Sequence, residues 1–461
     1  MKKDLKLFLI LLISFYFLIQ SAFSFLSPVK YWDETIYTNL GRNLLIYHEY
    51  SFLHGFADFS SNWPLAGFRP PLLPIIISIV SIFSKEVFLL NFLGPIFSSL
   101  GVLGVFLLSK KLFDDKVAIY SSVLFAFFPL YLFWGFRILT DSLFLSLMLF
   151  AIYFFWVAFF EDSKKIKFPI LFGVFSALAF LSRYSFIWFL LLFFLSLLFK
   201  NKNLKFLSDK KIWLGVLSFF VIIAPWFACN YLSYGSLFEF LRHANEASLR
   251  WGKQPALFYL VYFLKNFAIF IPFFAFGLYS RDKRYDNSKI FLSIWFVVIF
   301  LFSIFMGHKE ERYLLPLLPA VCILSSFGLN KIKNYRNILF VIIVIYFSFF
   351  NFYTFYKSVN SYNSDEQVCF FNAMNFIKES NASYIVTEHF SPVYFHTLKN
   401  NLRVNNYTSI KETIESDYRN ETVYYYLVEG DWFDLTKENE EVGKYLTFSC
   451  DKFKVFDLSY L

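Results

Sequence analysis

Two adjacent carboxylates, Asp33 and Glu34, stand in the stretch SPVKYWDETIYTNLGRNLL, residues 27–45, just after a run made almost wholly of Leu, Ile and Phe. Basic groups recur beside later apolar runs. Arg69 lies in WPLAGFRPPLLP, Arg137 in FRILTDSLF with Asp141, and Arg183 in LSRYSF; His308, Lys309 and Arg312 lie in GHKEERYLLPLLP with Glu310 and Glu311. Charges beside membrane-length apolar runs cost free energy and are functional candidates by default. Arg, Lys and His hold phosphate or diphosphate, Arg by a bidentate fork. A carboxylate opposite them can act as general base on an acceptor hydroxyl. If the phosphate belongs to a lipid carrier, apolar segments shelter its polyprenyl chain while the cations stabilise charge developing on the leaving group. This residue set points to transfer of a sugar from a lipid phosphate.

The elements that must position these groups follow from composition. The chain is 57% hydrophobic with 69 Phe, outside the usual globular balance, and belongs in a bilayer. Its net charge of +9 is uneven: from Lys357 onward, 10 basic residues face 16 acidic ones. The basic excess therefore sits in short clusters between apolar runs, a signature of membrane topology that argues against a nucleic-acid partner. The clusters are Lys2/Lys3/Lys6, Lys110/Lys111/Lys116, Lys164/Lys165/Lys167, Lys200 to Lys211, Arg281 to Lys289 and Lys331/Lys333/Arg336, at every second connection.

With those clusters inside, about eleven spans are expected near 7–27, 87–108, 117–135, 142–160, 168–182, 186–200, 212–229, 257–279, 290–306, 313–329 and 337–356. The runs 168–182 and 186–200 are short enough for a tilted or re-entrant pair. PPLLPIIISIVSIF, 70–83, reads as an interfacial helix, too short and proline-broken to cross. The first segment reads as an uncleaved span, with signal-peptide cleavage near Ser21–Ser24 as the alternative. This arrangement implies a multi-pass protein of the cell membrane with a cytoplasmic N-terminus, a first external loop at about 28–86, and all the chemical candidates on the extracytoplasmic side. Residues 1–356 would form the membrane domain and 357–461 a small extracytoplasmic α/β domain, since helical patterns (365–380, 409–416) alternate there with strand-like runs (383–389, 422–430, 452–458). The sequons at Asn381, Asn406 and Asn420 agree with an outside location, and a disulfide between Cys369 and Cys450 is permitted but not required by spacing.

YWDETIYTNLGRNLL after span 1, then FRPPLLP, RILTDSLF and LSRYS in that order, resembles the GT-C membrane glycosyltransferases. The pattern is similar to the dolichyl-phosphate-mannose protein mannosyltransferase and lipid A aminoarabinose transferase group, including RgtA/B/C/D-like enzymes. GHKEERYLLPLLP resembles instead the His-Lys-Glu-Glu-Arg signature of the lipid-linked-oligosaccharide and GPI-anchor mannosyltransferases. The resemblance covers about residues 1–330. It implies a GT-C architecture, Asp33 as catalytic base or acceptor-orienting group with Glu34 beside it, and Arg69 on the carrier phosphate. Where aminoarabinose transferases carry an acidic residue just before that basic one, this chain has Gly67 and Phe68.

The expected activity is an inverting glycosyltransferase that uses a polyprenyl- or dolichyl-phosphate sugar and a glycan, lipid or protein acceptor. Arg69, Arg137, Arg183, His308, Lys309 and Arg312 form the pool of donor-phosphate contacts, and the tail would recognise acceptor. Duller roles exist for each: acidic residues favour a helix N-terminus, Arg137 and Arg183 could snorkel to headgroups, and Asp141 reads as a helix cap. His48, His54, His243, His389 and His396 lack zinc-ligand spacing; no cofactor is assigned, and participation of a divalent metal is left open. The rival classes are a flippase or transporter of lipid-linked glycans, which would need polar groups along its path rather than at one lip, and a non-catalytic assembly subunit.

Overall fold

The computed structural model describes residues 3–27, 30, 32–51, 68–83, 87–161, 165–250, 254–332, 334–361, 364–387, 390–397, 402–404, 423–428 and 445–457. The helices, most of them apolar runs, are α1 (Lys3–Phe25), α2 (Trp32–Ile46), α3 (Leu72–Phe83), α4 (Val87–Leu90), α5 (Leu93–Leu112), α6 (Asp115–Ala126), α7 (Pro129–Gly135), α8 (Thr140–Phe159) and α9 (Lys167–Ser182). They continue through α10 (Ile187–Asn201), α11 (Lys210–Tyr234), α12 (Glu239–Arg250), α13 (Phe258–Asn266), α14 (Ile271–Leu278), α15 (Asp286–Phe305), α16 (Leu318–Lys331) and α17 (Arg336–Ser361). Two compact units result. One comprises Met1–Leu26, Gly67–Ile76 and Phe83–Phe355; the other comprises Ser27–Ala66, Ile77–Ile82 and Tyr356–Leu461.

Among the described residues, 8 helices are long and apolar enough to cross a membrane, or up to 10 when each of two bent pairs counts as one span. The runs expected at 117–135 and 257–279 are these bent pairs, broken by 62° before Pro129 and by 64° between α13 and α14. Of the two runs expected to be short, the second reaches spanning length once its leading 3₁₀ turn is included, Tyr184–Asn201, while α9 stays short. In the 70–83 run the prolines open a helix rather than break one: Pro70 and Pro71 precede α3, and Pro74 lies in its first turn, where no amide donor is missed.

The first unit is built around α8 and α16, apolar on every side and buried almost throughout. Lipid cannot drive such helices together hydrophobically, so close approach at small residues matters. A Cβ at Gly328 of α16 would collide with the Phe273 carbonyl, and one at Gly277 of α14 with the Leu324 carbonyl. Gly328→Ala is therefore expected to push α14 and α16 apart and lower the thermal midpoint of the detergent-solubilised protein by several degrees, corresponding to about 1–3 kcal/mol of overpacking. An unchanged midpoint would contradict this packing.

Helix α5 fixes the polarity of the unit. Near its start, Gly94 lies directly against the backbone of Phe136 and Arg137. At its end, Lys110 shares a cavity with Lys116, Lys331 and Arg336, and Lys111 pairs with Glu161 at 2.9 Å. Lys331 pairs with Asp282 at 2.9 Å, which also holds Arg284 at 2.9 Å. Three basic clusters thus meet at one end of the bundle, and roughly 25 Å of helix separates them from Arg137.

In the second unit the tail forms α18 (Ser364–Glu379), β1 (Tyr384–Thr387), α19 (Phe390–Thr397), β2 (Leu402–Val404), β3 (Val423–Val428), β4 (Leu446–Cys450) and β5 (Phe453–Asp457). The strands make one mixed sheet in the order β2-β1-β3-β5-β4, with β1 parallel to both neighbours and β5 antiparallel to both of its own. The expected strands at 383–389, 422–430 and 452–458 correspond to β1, β3 and β5, and the helix at 365–380 to α18. The helix expected at 409–416 and the sequons at Asn406 and Asn420 lie outside the described residues. Cys369 and Cys450 are disulfide-bonded, tying α18 to the end of β4 across a sequence separation of 81. Cys369→Ser, or reduction, is expected to destabilise this sheet by about 4 kcal/mol through restored loop entropy. Equal thermal midpoints with and without reductant would contradict that.

Candidate active site

Arg137 occupies the turn between α7 and α8, with Pro129 setting the first turn of α7 and Leu139 preceding α8 in extended conformation. Its guanidinium is buried among aromatic faces, 4.7, 5.4 and 4.9 Å from the ring centres of Phe133, Trp134 and Phe136. Asp141 does not cap α8 as the sequence suggests. It sits in the first turn, where the helix dipole favours an anion, and its side chain, 2% exposed, pairs with Arg183 and lies 3.7 Å from Arg312. Arg183 reaches it because α9 ends at Ser182 and the chain turns extended at Arg183. That guanidinium also packs 4.6 Å from the centre of the Tyr313 ring.

The turn between α15 and α16 carries the charged run His308–Arg312 into a 3₁₀ turn. Glu310 is extended and precedes the 3₁₀ turn Glu311–Leu317, and the contacts divide the charged run: His308 and Arg312 meet Glu310, while Lys309 and Glu311 have other partners. Glu310 is the hub. It accepts from Arg312 Nε at 2.6 Å and Nη2 at 3.1 Å, from Tyr313 Oη at 3.1 Å, and lies 3.1 Å from His308 Nε2. The Tyr259 hydroxyl locks its backbone, accepting from the Glu310 amide at 3.1 Å and donating to its carbonyl at 2.9 Å. Lys309 turns the other way, donating to the Met306 carbonyl and, at 3.3 Å, to that of Gln254, while burial pushes its ammonium pKa down. Glu311 takes the Tyr262 hydroxyl at 3.3 Å.

Four of the six basic candidates therefore belong to one connected cluster. Arg183, Arg312 and His308 join through Asp141 and Glu310. Arg137 joins through Trp134, whose ring centre is also 5.3 Å from the Arg312 guanidinium, whereas the Arg69 contact is through its backbone, the Tyr184 hydroxyl donating to its carbonyl at 3.5 Å. Lys309 stitches backbone at the same turn. The guanidinium groups of Arg137, Arg183 and Arg312 thus gather around buried Asp141 and half-buried Glu310, a set of oriented donors suited to an anion such as phosphate. Sequence reasoning missed Glu310 as hub and Asp141 as bridge. Nothing local in the sequence marks either role.

Asp33 and Glu34 lie in the second unit, in the first turn of α2, where acidic side chains suit the helix dipole. Asp33 is half-buried and Glu34 fully buried. The helix is anchored from within by Thr35 and Thr38, whose hydroxyls donate to the carbonyls of Trp32 and Glu34 at 2.8 Å each. Among the described residues, no three His, Cys, Asp or Glu side chains converge on a metal-sized site.

Comparison with known proteins supports the architecture. ArnT from Cupriavidus metallidurans bound to undecaprenyl phosphate superposes with a TM-score of 0.73 at 11% identity, over 97% of each chain. The Archaeoglobus fulgidus oligosaccharyltransferase superposes with a TM-score of 0.56 at 14% identity, over 86% of this chain and 63% of that one. At such identities the likeness shows the fold, that of the GT-C membrane glycosyltransferases. GPI mannosyltransferase 3 of Candida glabrata is 37% identical over 75 residues, 14% of this chain and 12% of that protein. Residues 43–400, which include every basic candidate from Arg69 to Arg312 and begin just after Asp33 and Glu34, match a single family along their whole length. The chain belongs to the Alg9-like mannosyltransferase family.

Proposed function

We propose that this membrane glycosyltransferase moves a sugar, mannose first among the candidates, from a polyprenyl- or dolichyl-phosphate carrier to a hydroxyl of a glycan, lipid or protein acceptor on the extracytoplasmic face, with inversion. The observation that carries the reading is the Arg183–Asp141–Arg312–Glu310 network, whose carboxylates pre-orient guanidinium forks that can receive a phosphate.

In the reaction, Asp33 takes the proton of the acceptor hydroxyl as its oxygen attacks the anomeric carbon from the face opposite the departing lipid phosphate. The bond from anomeric carbon to phosphate oxygen breaks, and the phosphate leaves with the electron pair, stabilised by the guanidinium groups. Arg137, Arg183 and Arg312 are the principal phosphate contacts; Arg69 and His308 complete the rim. Lys309, committed to backbone carbonyls, shapes the turn instead. Glu34, buried next to Asp33, supports the start of α2. The tail lies beyond the last span, and the domain division falls at about residue 356.

Mass spectrometry of surface glycans from cells with and without the protein tests this. Loss of one defined hexose linkage, restored by the wild-type gene, is expected. Unchanged glycan structures accompanied by altered transbilayer movement of lipid-linked glycans would favour the flippase class.

A further inference from the structure

The tail grips the helix that carries Asp33. From Glu34 to Asn43, ten consecutive residues of α2 are buried, so this helix is enclosed on all sides and its placement is set by what encloses it. Helix α19 supplies part of that enclosure. Arg42, itself 7% exposed, donates from Nη1 to the Phe395 carbonyl at 3.3 Å and packs its guanidinium 5.2 Å from the Phe395 ring centre. Next to it, the Tyr394 hydroxyl donates to Asn43 Oδ1 at 2.9 Å, and Asn43 Nδ2 donates to the Ser51 carbonyl at 2.9 Å. Asn43 therefore joins three segments: α2, α19 and the chain that follows α2.

We propose that α19 is a positioning element for the reaction, with Arg42 and Tyr394 acting through α2 to hold Asp33 where it meets the acceptor hydroxyl. This deepens the function proposed above and rests on its assignment of Asp33 as base. It also gives the tail a different task from the acceptor recognition expected of it. The contact is well made for such a task. The Arg42–Phe395 pair is a cation over an aromatic face, the Tyr394–Asn43 pair is neutral and directional, and both are sheltered from water. Burial, with Arg42 and Lys30 nearby, pushes the adjacent His396 imidazole down to about 4, so no second positive charge competes with Arg42 near neutrality.

A double-mutant cycle on the purified full-length protein separates positioning from simple loss of fold. Arg42→Ala is expected to lower kcat by about 10- to 100-fold, the scale of a reacting group displaced by about an ångström, with KM for the lipid-phosphate sugar unchanged. Tyr394→Phe, which removes one oxygen and keeps the packing, should lower kcat by several-fold in the same pattern, and so covers the case in which Arg42→Ala fails to fold. In an Asp33→Asn background, neither substitution should lower the residual turnover further, because the group being positioned is gone. Equal fold-losses in both backgrounds would overturn the proposal, as would unchanged kcat in both single variants. Full activity of Asp33→Asn itself would remove the base assignment instead, and would be seen in the same set of measurements.

Discussion

Asp33→Asn is expected to lower the turnover of sugar transfer by at least about 100-fold while leaving the affinity for the lipid-phosphate sugar nearly unchanged, because a general base typically contributes 10²–10⁴ and makes no contribution to holding the donor. Asn keeps the size and hydrogen-bonding reach of the side chain, and it remains acceptable in the first turn of α2, so the helix is preserved. The comparison residue is Glu34. Fully buried in the same turn, it should respond to Glu34→Gln mainly in stability, measured as a lower thermal midpoint, with kcat falling far less than in Asp33→Asn. The pair thereby differs in environment, Asp33 half-buried and Glu34 fully buried. Equal kinetic losses in the two variants would contradict this division.

The second large effect is expected at Asp141. Its carboxylate is 2% exposed and stands between Arg183 and Arg312. Asp141→Asn keeps the shape but removes the negative charge between two guanidinium groups that are little exposed. Breaking a buried ion pair from one side costs about 3–5 kcal/mol, since the partner charge remains desolvated. The expected outcome is a clear drop in thermal midpoint, together with transfer at background level, because the forks that would meet phosphate are no longer oriented. Glu310→Gln should follow in milder form: it still accepts from Arg312 and Tyr313 but loses the charge-assisted part of those bonds. Wild-type stability and turnover in Asp141→Asn would show that the network is decoration.

Much of this was legible in the residues, and the reasons are physical. Apolar length and the alternation of basic clusters specify where helices run, because a bilayer demands about 20 apolar residues per crossing and retains cations on one side. The clusters at Lys110, Lys331 and Arg284 do converge on one end of the first unit, with Arg137 at the other end of α5. What the chain does not display locally is partner choice. Asp141 in the first turn of a helix looks the same whether it caps amides or bridges two arginines from α9 and the 3₁₀ turn before α16; only packing decides. The bends at Pro129 and between α13 and α14 were also invisible to hydropathy, which averages over them. In the tail, α19 was missed because FSPVYFHT is two turns long with an internal proline, and β4 because its residues are half-exposed with no clean alternation. The Cys369–Cys450 bridge depended on a Cα–Cα distance of 5.2 Å that sequence spacing does not supply.

The central claim is that a sugar passes directly from a lipid phosphate to an acceptor hydroxyl with Asp33 as the base. Its most direct test is turnover by the purified protein in liposomes containing a polyprenyl-phosphate mannose as the only sugar source, with acceptor hydroxyl compounds supplied and both glycosylated product and freed polyprenyl phosphate measured. Equal molar release of the two by the wild type, opposite anomeric configuration in donor and product, and loss of both signals in Asp33→Asn are the predicted result. Product formed only when a nucleotide sugar is added, or equally well by Asp33→Asn, would contradict it.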